Sequence, residues 1–152
     1  MKIRKASCSD IAHVHKLINE YASNGLMLPR SLNELYENVR DYYVCETDEI
    51  VAACALHVLW EDLAEIKSLV VRAAAQKQGI GRRLIDCCKA EALNMGVGRV
   101  FALTYVREFF IRLGFSEIDK ALLPHKIWGD CIRCPKFPGC DEQAVIINVK
   151  ND

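Results

Sequence analysis

Residues 76–83, Gln76-Lys77-Gln78-Gly79-Ile80-Gly81-Arg82-Arg83, stand between two segments of different hydrophobic period, and that change decides the fold class. Before them, Leu63 to Arg72 alternates Glu65, Lys67, Leu69 and Val71 on one face with Ala64, Ile66, Ser68 and Val70 on the other, the period of a strand. After them, Ile80, Leu84, Cys87, Cys88, Glu91 and Met95 recur at helical spacing, and Gly96 and Gly98 close the helix before a β-prone run, Arg99 to Thr104. A strand-loop-helix-strand unit predicts an α/β domain. Within the loop, Gly79 and Gly81 remove side chains where a ligand must approach the backbone, and the amides of the first helical turn attract phosphate oxygens. Arg82 and Arg83 add charge at that end. No Lys-Ser/Thr follows the last glycine, against a P-loop, and no third glycine with a downstream acid supports a Rossmann site. The stretch reads as a pyrophosphate cradle or as an ordinary glycine-rich connection.

Upstream, Tyr42 to Glu46 and Ile50 to Leu59 are β-branched or aromatic runs separated by Thr47-Asp48-Glu49, which predicts an antiparallel hairpin. Lys2 to Lys5 is a β-prone opening, and Ser7-x-x-Asp10 is a helix-start signal before Ile11, Val14, Leu17, Ile18 and Tyr21. Asn24-Gly25 ends that helix, and a second helical pattern runs through Leu32, Leu35, Tyr36 and Val39. Downstream, Val106 to Leu113 is a short helix stopped at Gly114, while Phe115 to Ile118 and Gln143 to Val149 are strands.

The chain has 152 residues, 51% of them hydrophobic, which fits one domain spanning residues 1–152 with a core that needs no disulfides. Lys plus Arg number 20 and Asp plus Glu number 20, so the formal charge is zero and neither nucleic acid nor a membrane surface is an expected partner. No leader-like apolar stretch opens the chain and no run reaches membrane-spanning length, so a cytoplasmic location is expected. In that reducing setting the eight cysteines are expected as free thiols, with Cys45, Cys54, Cys87 and Cys88 acting as small hydrophobes.

Gln76-x-x-Gly79-x-Gly81 at the start of the third helix, the tail EFFIRLGF ending in Gly114-Phe115, and the order of elements from residue 2 to 149 together resemble the GNAT N-acetyltransferases. The resemblance implies a mixed, mostly antiparallel central sheet splayed after the fourth strand, with about four helices. It implies acetyl-CoA as co-substrate, its pyrophosphate on the amides of Gln78, Gly79, Ile80, Gly81, Arg82 and Arg83 and its pantetheine paired along Leu69, Val70 and Val71, with Gln76 opening the motif. Glu65 lies 14 residues before Gly79, where several members carry a catalytic glutamate. It reads either as the base that deprotonates the acceptor amine or as a strand carboxylate paired with Lys67. One departure is Phe110, where many members have a tyrosine that protonates the leaving thiolate. Tyr105, just past the fifth strand, either replaces that acid or packs against the cofactor.

Leu26-x-Leu-Pro-Arg30-Ser31 with Leu35, the stretch LTYVREFFIRLGF, and Leu123-Pro124-x-Lys126 are similar to the acetyltransferase domain of bacterial N-acetylglutamate synthases, which open arginine biosynthesis. A dicarboxylate acceptor such as glutamate demands cations, and Arg30, Lys67, Arg107 and Lys126 are the candidates. Two alternatives stay open: another amine, such as a protein N-terminus, a lysine or a polyamine, or a domain that binds acyl-CoA without turnover, which Phe110 would suit. Members of the family often form homodimers through late strands, and the apolar run Ala144 to Val149 fits such an interface or one core equally. Residues 119–142 hold Cys131, Cys134 and Cys140, three thiols at partly metal-like spacing, one short of a closed zinc set without His125 or Asp141. No metal is the primary expectation, and the histidines at 13, 15 and 57 are expected to pack or to face solvent.

Overall fold

Ile50 to Leu56 are all buried, as in a strand covered on both faces, and the rest of the chain supplies the two covers. The computed structural model describes residues 1–25, 27, 29–123 and 143–150. Its elements are β1 (Lys2–Lys5), α1 (Ile11–Ala22), α2 (Leu32–Glu37), β2 (Tyr42–Glu46), β3 (Ile50–Trp60), β4 (Leu63–Val71), α3 (Ile80–Asn94), β5 (Arg99–Thr104), α4 (Arg107–Arg112), β6 (Ser116–Ile118) and β7 (Gln143–Asn148). The strands form one sheet in the order β1-β2-β3-β4-β5-β7-β6. Every neighbouring pair is antiparallel except β4 and β5. This is the mixed, mostly antiparallel sheet that the resemblance implies, with four α-helices among the described residues and element ends shifted by a residue or two from the sequence reading.

The helices divide between the faces by their apolar stripes. Ile11, Val14, Leu17 and Ile18 of α1 and Leu35 of α2 close over Tyr42, Val44, Ala53, Ala55 and Val70. On the other face Ile80, Leu84, Ile85, Cys88 and Ala92 of α3 pack on Cys54, Leu56, Ala64, Ile66 and Val100. Each fully buried aliphatic side chain contributes about 1.5–3 kcal/mol, so the two stripes fix both helices on the sheet. Asp10 ties the start of α1 to the first strands: its carboxylate accepts from the Ser7 N–H at 2.8 Å and from Arg4 at 2.7 and 3.0 Å.

β4 departs from the expected strict alternation. Between the pairs Ala53↔Val70 and Ala55↔Lys67 two β4 residues oppose one of β3, and Ser68 there has φ +56°. This is a β-bulge, and its extra residue exchanges the faces. Leu69 and Val71 therefore join Ala64 and Ile66 on the α3 side, while Glu65 and Lys67 share the α1 side with Val70. The expected single face of Glu65, Lys67, Leu69 and Val71 is not formed.

The splay is present. Parallel pairing of β4 with β5 runs from Leu63↔Arg99 to Ile66↔Ala102 and stops, while the other edge of β5 stays paired with β7 from Arg99↔Asn148 through Thr104↔Gln143. The apolar β7 lies between β5 and β6, so both its edges are paired within this chain.

Candidate active site

One side of the splay ends at the start of α3. Gly79 is the residue before the helix and sits at φ +79°, the left-handed conformation that glycine adopts without strain. The first helical hydrogen bond runs from the Arg83 N–H to the Gly79 carbonyl at 3.1 Å. The amides of Ile80, Gly81 and Arg82 thus precede any intrahelical acceptor. Gly81 is a glycine for a different reason: a Cβ there would lie 3.2 Å from the Phe109 ring and 3.9 Å from Val71. Its absence lets α4 close against the start of α3. Ile80 is anchored in the core while Gln78, Gly79, Arg82 and Arg83 are exposed.

The edge of β4 leads to that helix start. The Arg72 N–H donates to the Val51 carbonyl at 2.8 Å, and ladder alternation then turns the N–H and carbonyl of Val71 away from β3, toward the open edge. Val70, paired with Ala53, faces β3 with its backbone. Of the three residues expected to pair with a pantetheine chain, Val70 is thus unsuited, because its ladder position occupies its amide. Gln76 folds back so that its Nε2 donates to the Val71 carbonyl at 2.9 Å.

Charged groups gather on the α1 face beside the bulge. Glu65 is only 7% exposed, and Lys67 Nζ lies 3.9 Å from its Oε1. Arg30 enters from the loop before α2. Asn19 of α1 clamps its backbone, accepting from the Arg30 N–H at 3.2 Å and donating to the Arg30 carbonyl at 2.9 Å. The guanidinium reaches Ser68 Oγ at 3.4 Å and Glu34 at 3.2 Å. Tyr42 donates to the same Ser68 hydroxyl at 3.2 Å, and burial raises the pKa of that phenol, which keeps it a neutral donor. Two ladder pairs beyond Ala55↔Lys67, His57 of β3 stands directly opposite Glu65, with Nδ1 2.7 Å from Asp41 Oδ2. Sequence reading missed Asn19, Tyr42, Ser68 and the Asp41–His57 pair, because each acts through a partner distant along the chain.

The remaining candidates are dispersed. Tyr105, Arg107, Phe109, Arg112 and Gln143 line a shallow pocket of about 380 Å³ at the end of β5. Arg107 is already engaged there by Glu117 at 3.1 Å and by Glu108. Phe110 is 2% exposed and packs edge to face against Phe109 and Phe115, with ring centroids 5.3 and 5.2 Å apart. Lys126, Cys131, Cys134 and Cys140 lie outside the described residues. Among the described residues no group of three His, Cys, Asp or Glu side chains is placed to hold a metal ion. The cysteines at 8, 45, 54, 87 and 88 are free thiols, and only Cys87 of the four expected hydrophobic ones is less than buried. No helix among the described residues is long and apolar enough to cross a membrane.

A splayed sheet, a glycine-opened helix start near the end of β4 and a buried carboxylate on β4 are the features of this candidate site. The sequence profile of the acetyltransferase (GNAT) family matches residues 11–115. The chain belongs to that family. An uncharacterized N-acetyltransferase of Chlorobaculum tepidum is 38% identical over 95% of this GNAT chain and 94% of its own length. An amino-acid acetyltransferase of Mycobacterium tuberculosis is 36% identical over 86% of this chain and 77% of its own. Among solved structures, N-acetylglutamate synthase from Neisseria gonorrhoeae complexed with coenzyme A and N-acetyl-glutamate superposes with a TM-score of 0.89 at 28% identity. That match covers 97% of this chain and 35% of the synthase, so this GNAT chain spans about a third of that protein's length.

Proposed function

We propose that this chain is an acetyl-CoA-dependent N-acetyltransferase whose acceptor is an amino acid, L-glutamate first, giving N-acetyl-L-glutamate and a place at the entry to arginine biosynthesis. The observation that carries the reading is Arg30, with its backbone clamped by Asn19 and its guanidinium on Ser68, next along β4 to Lys67 and the buried Glu65. Two cations near a buried carboxylate suit an acceptor that brings carboxylates of its own and an amine to be deprotonated. The names of the M. tuberculosis and N. gonorrhoeae relatives support the same acceptor class.

Acetyl-CoA supplies the activated acetyl group as a thioester. The residues present fit it: the amides of Ile80, Gly81 and Arg82 face a pyrophosphate, with Arg82 and Arg83 adding charge, and the outward N–H and carbonyl of Val71 pair with pantetheine amides. The Gln76 carboxamide donates to one lone pair of the Val71 carbonyl and leaves the second for the cofactor. Backbone amides at the Ser68–Leu69 bulge, where the ladder register shifts, would polarise the acyl oxygen. An amino-acid amine is mostly an ammonium at neutral pH, and Glu65 takes the proton that must leave before attack. Arg30 and Lys67 hold the acceptor carboxylates, and Tyr105 supplies the hydroxyl that Phe110 lacks for the departing thiolate.

Thiol release by the purified protein, measured with glutamate, aspartate, glutamine, a lysine peptide and a polyamine, tests this. Glutamate should have the highest kcat/KM, exceeding aspartate by about tenfold or more. A preference for the peptide or polyamine would overturn the acceptor and leave the transferase. Thioester stable against every amine would overturn both.

A further inference from the structure

We propose that His57, oriented by Asp41, carries the amine proton from Glu65 to solvent. The inference rests on the reading of Glu65 as the base. Acetylation of an ammonium leaves one of its three protons on the amide nitrogen and one on the thiol sulfur. The third has to leave the site in every turnover. Glu65, which accepts it, is 7% exposed, so its return to the carboxylate form needs an outlet.

His57 is placed as that outlet. In the unbroken stretch of the β3–β4 ladder the pairs run Ala55↔Lys67, Leu56↔Ile66, His57↔Glu65 and Val58↔Ala64. Directly opposed residues share a face, with Cβ atoms about 4.5–5.5 Å apart, within reach of a hydrogen bond made directly or through one water. The His57 side chain is 34% exposed, so the ring opposite the buried Glu65 is open to water. Asp41, in the turn before β2, lies 2.7 Å from Nδ1. A carboxylate there holds the proton on Nδ1 and leaves the Nε2 lone pair as acceptor. The step balances: the Glu65 carboxyl loses its proton to Nε2, the imidazolium passes a proton to water, and both groups return to their starting forms. Among the described residues, the charged groups facing His57 are Asp41, Glu65 and, two positions along β4, Lys67. As an ammonium Lys67 has no lone pair to accept with, so it is no alternative path.

The test compares His57→Gln, His57→Ala, Asp41→Asn and Glu65→Gln in steady-state thiol release at saturating acetyl-CoA and acceptor, with and without added imidazole. His57→Gln and His57→Ala should lose about ten- to a hundredfold in kcat with KM values little changed. Imidazole should restore His57→Ala in proportion to its concentration, and should do nothing for Glu65→Gln. Asp41→Asn should lower kcat less than the His57 variants. Wild-type kcat in His57→Gln, or a folded His57→Ala that imidazole leaves unrestored, would overturn the relay and make the Asp41–His57 pair structural. Wild-type kcat in Glu65→Gln would overturn the base itself, whereas a slow Glu65→Gln beside a fast His57→Gln would remove the relay alone.

Discussion

Serine at φ +56° in mid-strand stores strain of about 1–3 kcal/mol, and Ser68 keeps that conformation because the ladder on both sides of it fixes the register. Its return is positional: the bulge sets the Ser68 hydroxyl between Arg30 and Tyr42. Asp10 shows the opposite economy, a side chain stabilised wherever it points. The Arg4 guanidinium, helped by the Ser7 amide and hydroxyl, holds its carboxyl well below the usual carboxylate range. A depressed pKa in the folded state means that the ionised form stabilises the fold, fully so above the ordinary carboxylate value of about 3.9, and that the contribution fades as pH falls toward the folded value. Asp10→Asn should therefore lower the unfolding free energy at pH 7 by about 1–3 kcal/mol, by urea titration, and the gap to the wild type should narrow below about pH 4. A gap unchanged between pH 7 and pH 3 would show that the ion pair is not its source.

Helix α3 has two tasks, since its first turn faces the mouth of the splay and its inner stripe seals the sheet. Cys88 on that stripe meets Cys54 of β3 with sulfurs 3.8 Å apart, both thiols fully buried. The contact with Cys88 first, and burial next, raise the Cys54 thiol well above its ordinary range. Since the thiolate is the nucleophile, alkylation of the native protein followed by peptide mass spectrometry should label exposed Cys8 quickly and Cys54 and Cys88 only on unfolding. Equal rates at Cys8 and Cys54 would mean that α3 does not pack as described. The element was legible in the sequence because its period and its glycine boundaries are local signals. So was the β2–β3 hairpin, announced by two β-branched runs around Thr47-Asp48-Glu49. The bulge in β4 was not, because neither Ser68 nor Leu69 is a residue that marks left-handed backbone. Motifs singled out Glu65, Arg30 and the α3 glycines as candidates. Asp41 and His57, 16 residues apart, meet only through the register of the hairpin, which periodicity does not specify.

Across the whole molecule, one sheet separates two approaches to one gap. The start of α3 and the outer edge of β4 lie on one side, with Leu69 and Val71 turned toward the α3 core. Arg30, Ser68, Lys67 and Glu65 lie on the face covered by α1 and α2. The division makes the contributions to the two ligands separable, so a variant on either side should affect one Michaelis constant and spare the other. On the cofactor side, Gly79→Ala places a Cβ on a left-handed residue that has open space around it, so its cost of about 1–2 kcal/mol is conformational and falls on the amides of the helix start. On the proposed acceptor side, Arg30→Ala would remove a charge-assisted contact worth about 1.5–3 kcal/mol. Steady-state kinetics of both variants, with glutamate and acetyl-CoA each varied at saturating levels of the other, is the most direct measurement. Arg30→Ala should raise the KM for glutamate about ten- to a hundredfold and leave that for acetyl-CoA nearly unchanged, and Gly79→Ala should raise the KM for acetyl-CoA about three- to tenfold and spare that for glutamate. A glutamate KM unchanged in Arg30→Ala, or both constants moving together in both variants, would contradict a gap with a cofactor side and an acceptor side.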